Sequence, residues 1–262
     1  MKILISNDDG IESPGIQALA KAAGKLGEVF VVAPDRERST SGHSLTLHKP
    51  VRISRVRDHQ YSTSGSPADC IYLGVREVMK EAPDLILSGI NSGANLGTDV
   101  HYSGTVAAAR EGALMNIPSY AFSIVDIPQM SPKVQVRRAC NFEEIAKIAV
   151  RTLEKTLKVT FPPHTLLNVN IANLPIDQIR GVRVTRQGFR YYSLEVTKRQ
   201  DPRGRDYYWI GGSYIGFEKS DVSDCHAVEE GFVAITPITI DCTDQDLHDL
   251  LIAAKLNEMA FE

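Results

Sequence analysis

The sequence predicts an α/β protein with a three-layer α/β/α core, a mostly parallel sheet covered on both faces, and a C-terminal β-hairpin and helix arm. Three observations predict it. Short apolar runs alternate with helical stretches from the first residues onward. Two helices open on Ser-Pro pairs, Ser13-Pro14 and Ser66-Pro67, with serine at the N-cap and proline at the first helical position. Late in the chain the alternation gives way to β-rich residues around Asp201-Pro202-Arg203-Gly204.

Taken in order, Ile3-Leu4-Ile5 reads as a buried strand that ends in the turn residues Asn7-Asp8-Asp9-Gly10. A helix over 14–26 and a strand over 28–33, stopped by Pro34, complete a first βαβ unit. The pattern repeats with a helix from Ser66-Pro67, a strand DLILS over 84–88, a helix from Ser103 or Thr105 to Met115, and a strand SYAFSI over 119–124. Such alternation argues for a parallel sheet covered on both faces, with right-handed crossovers. Residues 142–157 read as an amphipathic helix and 166–171, LLNVNI, as a strand. Residues 182–209 read as a long hairpin, and 246–258 as a terminal helix. A lid or extra edge strands would also fit the hairpin. Its tyrosines, tryptophan and arginines favour an oligomerisation arm. The chain is therefore expected to be one domain over 1–262 that carries an oligomerisation arm toward its C-terminal end.

Composition limits the partners. The 262 residues carry a formal net charge of −3, with 43% hydrophobic and 23% charged side chains. Nothing in that balance supplies the basic face of a nucleic-acid polymer binder. The four cysteines, Cys70, Cys140, Cys225 and Cys242, form no CxxC pair. The opening MKILISNDDG does not read as a signal peptide, and no apolar run approaches the ~20 residues of a membrane span. A cytoplasmic protein with no membrane partner is expected.

In an open α/β sheet, ligands bind outside the carboxyl ends of the strands. Asp8 and Asp9 follow the first strand, Ser39 lies in the loop after the second, and Asn91 follows DLILS. Two carboxylates, a hydroxyl and an amide oxygen form an all-oxygen set suited to a hard divalent cation such as magnesium, manganese or calcium; a plain Asp-Asp-Gly turn is the alternative. Without a cation the adjacent carboxylates repel, and one pKa rises. Ser103-Gly104-Thr105 precedes the helix VAAAREGAL, and a helix N-terminus with a glycine and two hydroxyls is an anion site; plain N-capping is the alternative. No GxGxxG follows the first strand, and neither a P-loop, a GxSxG elbow nor HExxH is present. His43 and His101 sit near the proposed loops, with roles left open.

ILISNDDG, APDRERSTSGHSLTL, GSPADCIYLG, PDLILSGINSGANLGTDVHYSGTVAAAREG, LNVNI, TRQGFRYY and DPRGRDYYWIGG together resemble the SurE family of stationary-phase survival nucleotidases. The resemblance runs from residue 1 to about 241. It implies a Rossmann-like α/β core with approximately 182–262 forming a protruding or swapped arm, a homodimer or homotetramer, and a divalent-metal-dependent phosphomonoesterase that converts nucleoside 5′-monophosphates, and 3′-monophosphates, to nucleoside and phosphate. It places metal ligands at Asp8, Asp9, Ser39 and Asn91, one cation per subunit, and phosphate contacts at Asn95, Ser103, Gly104 and Thr105. SDVSDCHAVEEGFVAITP fits the family's acidic segment with Asp224 at the acidic position. His101 departs from the aliphatic residue common there. The expected catalytic groups are Asp8 and Asp9, either of which could orient or deprotonate the attacking water. A phosphatase for non-nucleotide substrates such as short polyphosphate, a non-catalytic nucleotide sensor and a structural assembly protein are the rival readings.

Overall fold

The computed structural model describes residues 1–127 and 139–259. Its centre is a nine-stranded sheet in the order β3-β4-β2-β1-β5-β6-β7-β13-β8. The strands are β1 (Lys2–Ser6), β2 (Glu28–Pro34), β3 (Ile53–Arg57), β4 (Gln60–Thr63), β5 (Leu85–Ser92), β6 (Ser119–Val125), β7 (Thr165–Ala172), β8 (Val182–Val184) and β13 (Val233–Thr239). From β4 to β7 every neighbouring pair is parallel. β3 is antiparallel at one edge and β13 is antiparallel to β7 near the other.

Both faces are covered, as the unbroken apolar runs require. Ile3 and Ile5 point to a core shared with α1 (Pro14–Ala23) and α4 (Phe142–Thr156). Leu4, between them, points to the opposite core beneath α2 (Pro67–Leu73) and α3 (Gly104–Leu114). This alternation is the period-two pleat of β1. Among the described residues no helix is long and apolar enough to cross a membrane.

Three stretches differ from the sequence reading. β5 does not end at Ser88; it continues to Ser92 through an irregularity in its register with β6 between Ser88 and Asn91. Gly89 makes this possible, because a Cβ there would lie 2.3 Å from the Phe122 carbonyl oxygen. β3 and β4 form an edge hairpin that the sequence analysis left unassigned.

The expected arm over 182–262 is divided. β8 and β13 belong to the main sheet, and α5 (Asp224–Glu229) packs on β13. Pro237 argues against reading its segment as a central strand. It lies beyond the residues paired with β8, where β13 keeps β7 as its partner. The single long hairpin resolves into two ladders. β9 (Arg190–Tyr192) pairs with β12 (Tyr214–Phe217), and β10 (Val196–Gln200) pairs with β11 (Asp206–Ile210) around the 201–204 turn. Every residue of β10 and β11 is exposed, and α6 (Gln245–Ala253) buries none of its residues.

Candidate active site

The strand order sets where the site lies. From β1 the chain moves to β2 and β4 on one side, then returns to β5 on the other side of β1. The crevice beyond the carboxyl ends of β1 and β5 is thus a topological switch point. Asp8 and Asp9 follow β1, and Asn91 is the next-to-last residue of β5. Asn7 shapes the carboxylate turn: its Nδ2 donates to the Gly10 carbonyl at 2.9 Å, and its Oδ1 accepts from the Gly10 N–H at 3.2 Å. Asn7 also donates to the Ser13 hydroxyl at 2.7 Å, so Ser13, although at the N-cap of α1, makes no side-chain capping bond.

Asp8 occupies the N-terminus of α3. Thr105 Oγ1 donates to Asp8 Oδ1 at 2.5 Å, and the N–H groups of Gly104 and Thr105 also support the carboxylate. A Cβ on Gly104 would stand 2.7 Å from the Asp8 Cβ, so glycine is what lets the helix approach so closely. The expected phosphate contacts therefore split. Gly104 and Thr105 are buried and serve Asp8, whereas Asn95 and Ser103 line the cleft. The anion held by this helix start is the protein's own carboxylate.

Asp9 is less buried and faces the cleft. Burial pushes its pKa up to about 6, with the charges of Asp8 and Glu37 adding to the rise and an N–H bond from Ser92 opposing it. Asp8 is also raised, chiefly by burial, against the bonds from Thr105 and Gly104. Two neighbouring carboxylates, each costly to ionise where it stands, suit a bound cation. Asn91 donates Nδ2 to the Gly93 carbonyl at 3.0 Å, which leaves its oxygen for coordination. Ser39 is exposed and donates to Glu37 Oε1 at 2.5 Å. Among the described residues no group of three or more His, Cys, Asp or Glu side chains could hold a metal ion. A cation here would accordingly be held by Asp8 and Asp9 together with the neutral oxygens of Ser39 and Asn91, all four of which line one cleft. That donor set fits magnesium or manganese.

Asn168, Asn170 and Ser123 support the site without having been singled out by the sequence, whereas Asp224, His43 and His101 take definite partners here. The β7 side chains Asn168 and Asn170 donate to the Asn95 carbonyl at 2.8 and 2.9 Å, and Asn170 Oδ1 accepts from the Asn95 N–H at 3.0 Å. The signal was available: asparagine at two same-face positions of an otherwise apolar buried strand, in LLNVNI. Ser123 accepts from Asn95 Nδ2 at 2.7 Å. Asp224, buried at the start of α5, accepts from the N–H groups of Gly97 and Gly188, both at 2.9 Å, and so joins two walls of the cleft. His43 contacts the buried Glu111 at 2.8 Å and fastens the Ser39 loop to α3. His101 lines the cleft and meets Gln187 at 3.4 Å.

The cleft measures about 1050 Å³ and runs from the two aspartates to an aromatic wall that includes Phe189, Tyr191 and Tyr192. Fold and cleft together define a doubly wound α/β protein with a cleft lined by oxygen donors at its switch point. Comparison with known proteins gives the family. The profile of the survival protein SurE family matches residues 3–194. The protein named 5′-nucleotidase SurE from Pelobacter propionicus is 48% identical over 244 residues, covering 93% of this chain and 95% of that protein. Its namesake from Geotalea daltonii is 45% identical over the same shares. The crystal structure of the SurE protein from Aquifex aeolicus superposes with a TM-score of 0.83 at 43% identity, covering 97% of this chain and 100% of that one. The chain belongs to the SurE family.

Proposed function

We propose that this protein is a 5′-nucleotidase that hydrolyses nucleoside 5′-monophosphates, and 3′-monophosphates by the same chemistry, with one divalent cation per subunit. The relatives named 5′-nucleotidase SurE support the activity. The observation that carries the reading is the pair of partly desolvated aspartates at the switch point, one anchored and one open to the cleft. A bound magnesium or manganese would neutralise phosphate charge and make a bound water more acidic. Asp8, fixed by Thr105 and the start of α3, presents its carboxylate at a set position. Asp9 orients the attacking water and takes its proton. Ser103 and Asn95 meet the phosphoryl oxygens from the cleft wall, with Asn95 held by Asn168, Asn170 and Ser123. The leaving nucleoside departs toward the aromatic wall. Self-association as a homodimer or homotetramer is part of the same proposal, supported by the exposed aromatic and apolar side chains of β11 and α6.

Phosphate release tests the reading. A panel of nucleoside 5′- and 3′-monophosphates and a short polyphosphate is assayed with magnesium, with manganese and with EDTA. Nucleotide-dependent release that EDTA abolishes is expected. Release from polyphosphate alone, or release unaffected by EDTA, would contradict it.

A further inference from the structure

The half of the cleft away from the aspartates has a chemistry of its own. Phe189 and Tyr191 are 49% and 43% exposed, while Arg190 between them is 9% exposed. This is strand alternation, and it turns both rings to one side. Their centroids are 5.3 Å apart with the planes at 43°. The backbone beneath them is fixed. Arg190 Nη1 donates to Asp99 Oδ2 at 2.5 Å, and its guanidinium lies 4.3 Å from the Tyr214 ring centroid. The Phe189 carbonyl accepts from the Glu218 N–H at 2.8 Å. Aromatic faces held rigidly yet left uncovered are preorganised for a ligand.

We propose that Phe189 and Tyr191 form a stacking platform for the base of a nucleoside monophosphate, and that this wall makes nucleotides better substrates than other phosphate esters. The proposal rests on the nucleotidase reading and deepens it. Two further observations favour a flat, uncharged group here over a second phosphate. Among the described residues lining the cleft, Arg190 is the sole Lys or Arg, and Asp99 neutralises it. A cleft of about 1050 Å³ is also at the upper end of small-ligand pockets, ~300–1,000 Å³, far more than a phosphate group fills. Because every base offers a π-face, the platform accepts purines and pyrimidines alike.

The test compares adenosine 5′-monophosphate with ribose 5-phosphate, which shares the phosphate and the sugar but lacks the base. In full-length Phe189→Ala and Tyr191→Ala, the ratio of kcat/KM for nucleotide over ribose 5-phosphate should fall about tenfold for each ring lost. Phe189→Trp, which keeps a ring, should hold the ratio near the wild-type value. An unchanged ratio in both alanine variants overturns the proposal, including the case in which both substrates lose activity equally because the wall has merely loosened. Adenosine binding, measured by calorimetry, separates this proposal from the reading it rests on. If the wild type releases no phosphate but binds adenosine more tightly than Phe189→Ala does, the nucleotidase reading fails and the platform stands. If adenosine binds the two equally, the platform fails whatever the hydrolysis assay shows.

Discussion

Asp8 and Asp9 are neighbours in sequence with different surroundings, and the difference has measurable consequences. In the cation-free protein Asp9 titrates at about 6, above the ~3.9 of a free aspartate. A group with a raised pKa in the folded state favours folding at low pH, and that contribution is lost as pH rises through the interval from about 4 to about 6. Asp9→Asn should remove this loss. In EDTA the variant should melt above wild type at pH 8 and together with it at pH 3.5, as read by calorimetry; a variant that melts below wild type at pH 8 would mean that Asp9 stabilises the fold. Thr105 acts through Asp8. Thr105→Val removes the 2.5 Å donor while keeping the side-chain shape. Catalysis should drop about ten- to a hundredfold, the usual cost of losing a group that orients a ligating carboxylate, with the melting temperature little changed. Unaltered kcat would reduce Thr105 to a helix-start residue. The carboxylate pair was legible in the sequence because it directly follows an apolar strand. Thr105's partner was not, since a helix N-terminus looks equally open whether a substrate or a distant carboxylate fills it.

The loop that brings Ser39 to the cleft is fastened along its length, with the Arg38 N–H donating to the Asp8 carbonyl at 2.7 Å and Ser66 Oγ to the Ser44 carbonyl at 2.6 Å. His43 reaches Glu111 on α3, and Asp69 in the first turn of α2 accepts from the Thr46 N–H at 2.8 Å and the Thr46 hydroxyl at 2.6 Å. His43→Ala leaves the buried Glu111 without this partner and should cost about 1–3 kcal/mol of stability. Limited proteolysis should then cut within 36–50 sooner than in wild type; equal cleavage would show that the remaining contacts hold the loop without His43. The βα alternation through β6 was legible because runs such as Ile3-Leu4-Ile5 and DLILS are apolar on both faces, as a doubly covered parallel sheet demands. β3 and β4 were not legible: the segment is rich in exposed polar residues, such as Arg55 and Arg57, and reads as surface. β13 was hidden by Pro237, which is tolerated because β8 stops short of it.

On the scale of the whole molecule, one chain leaves Trp209 63%, Ile210 92% and Leu250 66% exposed. Clustered apolar exposure of this kind marks an interaction surface. Removing 189–208 would also remove the aromatic wall, so point substitutions are the cleaner test. Trp209→Ser combined with Ile210→Ser should shift the light-scattering mass toward that of a single chain, and an unchanged mass would show that β11 is not the contact. The central claim is that four oxygen donors, from the loops after β1 and β2 and from the end of β5, hold a divalent cation at the switch point and that hydrolysis depends on it. Calorimetric titration of manganese into wild type and Asp9→Asn, with nucleoside 5′-monophosphate hydrolysis followed on the same samples, tests it most directly. The account predicts a single site per chain, affinity weakened on the order of a hundredfold in the variant, and activity that collapses with it and partly returns at high manganese. Equal manganese affinity and equal turnover in the two proteins would contradict it.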